Sequence, residues 1–270
     1  MIPLARARAG RPNRCPAGGW RSTEGGDIMH ERVWERYLTE QDRSHLAMSV
    51  HRRIGFGRKP ALLLIDLYRW VFGDRPEPLL EAIKAWPGSC GLAAWQAIPP
   101  IQTLLKAARD AKIPIVHMTG LDQSGMEGWT AWREPPHPAE VSPEARDRRQ
   151  RRWDIIGEVA PLPGEAVLRK SSPSAFWGTP LAGHLNYLGV DTIITCGEST
   201  SGCVRASVVD GCTHRYRMIV VEECVFDRHE ATHAINLFDM NQKYADVVPL
   251  AEVLDYLAKW RAERDRQPPG

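Results

Sequence analysis

Asp66, Lys170 and Cys203 each stand where a short apolar run stops: Leu63-Leu64-Ile65-Asp66, Val167-Leu168-Arg169-Lys170, and the turn Gly197-Glu198-Ser199-Thr200-Ser201-Gly202-Cys203 that follows a third run. A thiol is mostly protonated near neutral pH, and its thiolate is the form that attacks carbon. Val204, Ser207, Val208 and Cys212 follow Cys203 at helical spacing. The sequence therefore predicts the thiol at a helix start, where the partial positive charge of the helix and a nearby Lys170 ammonium favour the thiolate. Asp66 then carries the proton, as a base toward the thiol and an acid toward a departing amine. Backbone N–H groups of the glycine-bounded turn offer an oxyanion hole for acyl transfer. Cys196, Cys212 and Cys224 lie in apolar contexts and read as packing residues, while Cys15 and Cys90 carry no signal.

Such residues act together only if a scaffold brings the run ends to one edge. From residue 60 onward, apolar runs at Ala61–Ile65, Ile113–Met118, Ala166–Leu168, Thr192–Cys196, Met218–Val221 and Val247–Val248 alternate with helical patterns near 99–111, 179–188, 203–214, 229–243 and 250–261. The runs are continuous rather than alternating, as in strands covered on both faces. This predicts an α/β fold: a three-layer, doubly wound, mostly parallel sheet of about six strands. Ligands bind such sheets in the crevice beyond the carboxyl ends of the strands, where Asp66, Lys170 and Cys203 are expected.

Around that domain, expected over 59–264, the chain divides further. Residues 1–28 hold five Gly, three Pro and five Arg among few large aliphatics, too little apolar surface to offset ordering, and read as a flexible leader without a signal-peptide core. Residues 29–58 read as a helical arm, with one helix from Met29 to Met48, and 265–270 as a tail. The segment 119–165 is irregular, apart from a helix near 144–152. It carries Trp129, Trp132 and Trp153, which with Trp70 and Trp177 are candidate walls of an apolar pocket. The net charge is +2 on 270 residues, no apolar run approaches a membrane span, and six cysteines form no C-x-x-C pair. These counts speak against nucleic-acid and membrane partners and for a reducing, cytoplasmic setting.

One motif competes. His229-Glu230-Ala231-Thr232-His233 fits the H-E-x-x-H pattern, which on a helix sets two zinc-ligating imidazoles on one face, with Glu252 or Asp255 as a third ligand. The segment follows a strand, so His229 is expected to begin the helix rather than sit in it, leaving a capping and a packed histidine. A zinc hydrolase stays open as an alternative.

Several stretches resemble the isochorismatase-like cysteine hydrolases, and within them the N-carbamoylsarcosine amidohydrolase group, over about Arg32 to Leu257. They are Ala61-Leu62-Leu63-Leu64-Ile65-Asp66, Lys170-Ser171-Ser172-Pro173-Ser174-Ala175-Phe176-Trp177-Gly178-Thr179, Thr200-Ser201-Gly202-Cys203-Val204-Arg205-Ala206, Asn236-Leu237-Phe238-Asp239-Met240 and Lys243-Tyr244-Ala245-Asp246-Val247. The resemblance implies an Asp66–Lys170–Cys203 triad that hydrolyses an amide or ureido C–N bond of a small carboxylic acid through a thioester and releases ammonia. It implies a non-proline cis peptide just before Ser199, with the Ser199 and Cys203 amides as the oxyanion hole. It further implies Arg228 as a carboxylate-binding arginine, Thr200 as a substrate-binding residue, no cofactor or metal, and a homotetramer. A maleamate- or ureidoacid-type amidase is the neighbouring reading. The sequence departs from the pattern at Glu198, where the family usually has a small or apolar residue; that departure leaves room for a non-catalytic relative that binds a small acid.

Overall fold

In the computed structural model, which describes residues 32–49, 52–121 and 142–266, the apolar runs form one six-stranded parallel sheet. In chain order the elements are α1 (Glu40–Met48), β1 (Pro60–Ile65), α2 (Arg69–Phe72), α3 (Leu79–Ala85), α4 (Leu92–Ala111), β2 (Ile115–Gly120) and α5 (Pro143–Arg151). There follow β3 (Ala166–Lys170), α6 (Leu181–Tyr187), β4 (Thr192–Glu198), α7 (Arg205–Thr213), β5 (Arg217–Phe226), α8 (Glu230–Lys243), β6 (Asp246–Val248) and α9 (Leu250–Asp265). The order across the sheet is β3-β2-β1-β4-β5-β6. It runs outward from β1 in one direction and from β4 in the other, so the crevice where ligands bind opens between the carboxyl ends of β1 and β4.

Each strand is covered on both faces. Leu62 and Leu64 of β1 pack with Ile101, Leu104 and Leu105 of α4 and with Val253 and Leu257 of α9. Ala61, Leu63 and Ile65 face the other way, onto Leu185 of α6, Val208 of α7 and Leu237 of α8. Burying a leucine or isoleucine side chain contributes about 1.5–3 kcal/mol, which is what continuous apolar strands are for. The three-layer architecture is the expected one.

The differences are local. The helix expected over 99–111 starts at Leu92 and passes through Pro99 and Pro100. Two prolines remove only the bonds to the carbonyls four residues back, and the face Ala94, Ala97, Ile98 and Ile101 is buried in the core, which outweighs that loss. The single helix expected from Met29 is broken in its described part: a 3-10 turn spans Glu35–Tyr37, and α1 begins anew behind Thr39. Thr39 accepts from the Asp42 N–H at 3.2 Å, and Asp42 accepts from the Thr39 N–H at 2.8 Å, a reciprocal cap that a helix interior would forbid. Trp34 and Leu38 of this arm are buried against the α8 side of the sheet, and the described chain from Val33 onward is one compact unit. The leader 1–28, Trp129, Trp132 and the last four residues lie outside the described residues. Among the described residues no helix is long and apolar enough to cross a membrane.

Candidate active site

Gly197 sets the geometry of the crevice. Its φ is +118°, and a Cβ there would stand 2.0 Å from the Ile65 carbonyl oxygen. Only glycine lets the end of β4 come this close to the end of β1. Asp66 follows Ile65 with φ 58°, a left-handed conformation that Asp tolerates better than most residues, and its side chain is fully buried. The Glu198–Ser199 peptide is cis, at the bond that the family resemblance implies.

Lys170, at the end of β3, holds the site together. Its Nζ lies 2.7 Å from Asp66 Oδ2, 3.3 Å from Cys203 Sγ and 3.1 Å from the Ser172 carbonyl oxygen. Three acceptors thus meet the three donors of one buried ammonium. The three chemistry-bearing residues read from the run ends therefore converge. Asp66 Oδ1 is buried and has no hydrogen-bond partner among the described residues, leaving an acceptor free for a proton that arrives with the reaction.

The protonation states differ from the expectation. Burial pushes the Cys203 thiol well above its ordinary value, Asp66 adds to the shift, and Lys170 only opposes it. Burial also lifts the Asp66 carboxyl, against the pull of Lys170. For Lys170, burial works against the charge, yet Asp66 and Cys203 outweigh it and keep the ammonium protonated. Cys203 does not sit at the start of the α-helix itself. The helix proper starts at Arg205, and Cys203 sits earlier, in a π-helical turn over Thr200–Val204. Burial therefore favours the thiol over the thiolate at Cys203, with the Asp66 carboxylate beside Lys170 placed within reach of its proton.

The loop that carries Cys203 is tied down from outside. Asp227 Oδ2 accepts from the Ser201 N–H at 2.9 Å and from its hydroxyl at 2.7 Å. The Cys203 carbonyl accepts from Ser207 Oγ at 2.7 Å, and Ser207 in turn accepts from the Ala175 N–H at 2.9 Å, which joins the Cys203 turn to the segment after Lys170. Thr200 is fully buried, and its Oγ1 lies 2.8 Å from His233 Nδ1. The H-E-x-x-H pattern is absorbed in this way. His229 is the extended residue before α8, Glu230 pairs with Arg36, and His233 braces Thr200, so the three do not converge on one ion. Burial lowers the His233 pKa and favours the neutral ring that such a brace uses.

Among the described residues, the one cluster of candidate metal ligands is Asp66, Glu198 and Cys203, whose ligand atoms lie within 4.8 Å of one another. The Lys170 ammonium already pairs with two of its three members, so the chain supplies its own cation there.

Arg228 departs from expectation. Its Nη1 lies 2.9 Å from Glu198 Oε1, and its Nη2 donates to the Gly88 carbonyl. The fork expected to hold a substrate carboxylate is engaged by the chain's own carboxylate. Cys90, silent in the sequence, approaches Glu198 Oε1 at 3.7 Å. Burial lifts Glu198 to about 7, with Arg228 opposing and Asp66 adding. The tryptophan expectation also changes. Trp153 packs edge-on against Tyr68 at 5.0 Å between ring centroids and 6.4 Å from Trp70, so both tryptophans serve packing, and Trp177 is 72% exposed.

Comparison with known proteins bears on this arrangement. A family model described as the isochorismatase domain matches residues 60–252. A maleamate amidohydrolase of Pseudomonas putida is 40% identical over 214 residues, 76% of this chain and 90% of that protein. An N-carbamoylsarcosine amidase of an Arthrobacter species is 32% identical, over 76% of this chain and 74% of its own length. Among solved structures, an isochorismatase-like hydrolase from Alkaliphilus metalliredigens superposes with a TM-score of 0.60 at 22% identity, covering 75% of this chain and 99% of that one.

Proposed function

The chain belongs to the isochorismatase family, and from that premise we propose that it is a cysteine amidohydrolase that cleaves the C–N bond of a small linear amide or ureide through a thioester on Cys203. The observation that carries this reading is the Lys170 ammonium, 2.7 Å from the Asp66 carboxylate and 3.3 Å from the Cys203 sulfur. Relatives named for maleamate and N-carbamoylsarcosine support the substrate scale and the bond type.

The chemistry follows from the charges. As Sγ attacks the carbonyl carbon, the thiol proton passes to Asp66, whose raised affinity for it comes from burial. The carbonyl oxygen becomes an oxyanion, and the backbone N–H groups of Ser199 and Cys203 are its proposed donors. Asp66 returns its proton to the nitrogen, the C–N bond breaks, and ammonia leaves a thioester behind. Water then adds to the thioester carbon as its proton goes to Asp66. The C–S bond breaks, the sulfur regains a proton, and the acid departs. Lys170 stays protonated throughout, holding Asp66 in place and offsetting negative charge as the proton moves.

Ammonia release from maleamide, maleamate and N-carbamoylglycine by the wild type and by Cys203→Ala tests the proposal. Loss of release in a folded Cys203→Ala protein is expected. Release within about tenfold of the wild type overturns the thiol's role, since removing a true nucleophile lowers rates by far more than that.

A further inference from the structure

Two cations act on the Cys203 site among the described residues, and each already has an internal carboxylate. Lys170 is paired with Asp66 at 2.7 Å, and Arg228 with Glu198 at 2.9 Å. Glu198 is no surface residue that happens to lie nearby. It is 5% exposed, it ends β4 beside the cis peptide, and its carboxylate lies within 4.8 Å of both the Asp66 carboxylate and the Cys203 sulfur. It therefore borders the space where a substrate carbonyl must sit. Arg228 is fixed as well, because its second terminal nitrogen donates to the Gly88 carbonyl.

An arginine fork beside a reaction centre ordinarily reads a substrate carboxylate by paired N–H bonds. Here that acceptor is built into the chain. A second carboxylate brought to Arg228 would lie against Glu198, with Asp66 and Asp227 close behind, and like charges at such range discriminate strongly against a ligand. The Asp227 oxygens are taken by Ser201 and by the Arg228 N–H, so that carboxylate stays in place.

We propose that Glu198 is a specificity-determining residue of this site: by occupying Arg228 it selects amides that are uncharged where they face Arg228 and disfavours those that bring a carboxylate there. The inference rests on the amidohydrolase reading and narrows its substrate class to neutral amides or ureides. Arg228, Asp66, Asp227, Tyr68, Cys90 and Cys203 all face that carboxyl, and burial raises its affinity for a proton to about 7, so the charge preference is fully developed only above that pH. Below that pH the pair loosens and the preference weakens.

The test uses two compounds of one shape, maleamide with two amide ends and maleamate with one amide and one carboxylate. Ammonia release by the wild type should favour maleamide in kcat/KM by at least about tenfold, as adjacent like charges imply. Glu198→Gln keeps the shape and removes the charge; it should shift the ratio toward maleamate by at least about tenfold, mainly through KM. A wild type that prefers maleamate, or a folded Glu198→Gln protein with an unchanged ratio, overturns the inference. Should Glu198→Gln fail to fold, calorimetric binding of the same two compounds to Cys203→Ala protein decides the matter with Glu198 intact: tighter maleamide supports the inference, while tighter maleamate, or binding of neither, overturns it. Ammonia release that survives in Cys203→Ala would instead sink the thiol mechanism and leave the charge preference standing.

Discussion

The two ends of β3 each carry an acid–base cluster, partly buried at the amino end and fully buried at the carboxyl end, and they are built on opposite principles. At the amino end, Glu165 is satisfied on all sides. Arg109 grips it with Nε at 2.7 Å and Nη2 at 3.0 Å, His117 Nε2 lies at 2.9 Å, and the Leu162 N–H donates at 3.0 Å. Although burial works the other way, these partners hold its carboxyl down at about 2. At the carboxyl end, Lys170 meets a carboxylate with an unused oxygen and a thiol, and burial pushes both upward. A fully partnered carboxylate is inert and stabilises the fold. A carboxylate left short of donors keeps an appetite for a proton, and that is the property a general base needs. The ends differ in satisfaction and in burial together: Asp66 is fully buried and short of donors, whereas Glu165 is only partly buried and fully partnered.

Substitution should separate the two roles. The largest effect is expected from replacing Asp66 with Asn and Lys170 with Met together: activity falls by at least about a thousandfold, while stability in urea stays level or rises by about 1–2 kcal/mol, because a buried ion pair is removed whole. Equal losses of stability and activity would break the contrast. At the other end, Glu165→Ala should lower stability by about 2–4 kcal/mol, since it strands Arg109 and His117, and leave kcat/KM within about threefold of the wild type. A large fall in kcat in a folded Glu165→Ala protein would deny that the ends differ in kind. Between these, Thr200→Val should cost about 1 kcal/mol of stability through the lost His233 bond and lower kcat by about tenfold because it loosens the Cys203 turn. An unchanged kcat would show that the brace does not position the thiol.

The smallest expected effect is on acid stability. Glu165 has a folded pKa of about 2 against an ordinary 4.5. A depressed carboxyl stabilises the fold fully above its unfolded value and loses that contribution as pH falls through the folded one. Urea unfolding should therefore show stability declining from about pH 5 toward pH 2, and Glu165→Gln should flatten that decline. Glu198 works in the opposite sense. Its folded value of about 7 lies above 4.5, so its contribution weakens as pH rises through that window.

Much of the site was legible because strand ends are legible. Asp66, Lys170 and Cys203 each follow an apolar run, and parallel α/β topology brings such positions to one edge. The Glu198–Arg228 pair was not readable in this way. Between the pairs Thr195–Val220 and Gly197–Val225, one residue of β4 faces four of β5, and that irregularity aligns Phe226 with Glu198 and sets Arg228 just beyond it. No periodicity in residues 217–226 announces the insertion. Spacing cannot tell the π turn that carries Cys203 from the first turn of a helix, nor show that Lys170 is shared with Asp66. Cys90 meets Glu198 across 108 residues of sequence and carries no local signal.

The central claim is that the Cys203 sulfur bonds covalently to the substrate carbon. Acid quenching during turnover of maleamide, followed by peptide mass analysis, tests it most directly. An acyl group is expected on the Cys203 peptide, absent from Cys203→Ala and removed by hydroxylamine. Ammonia released with Cys203 unmodified at every quench time, and released equally by Cys203→Ala, would contradict it.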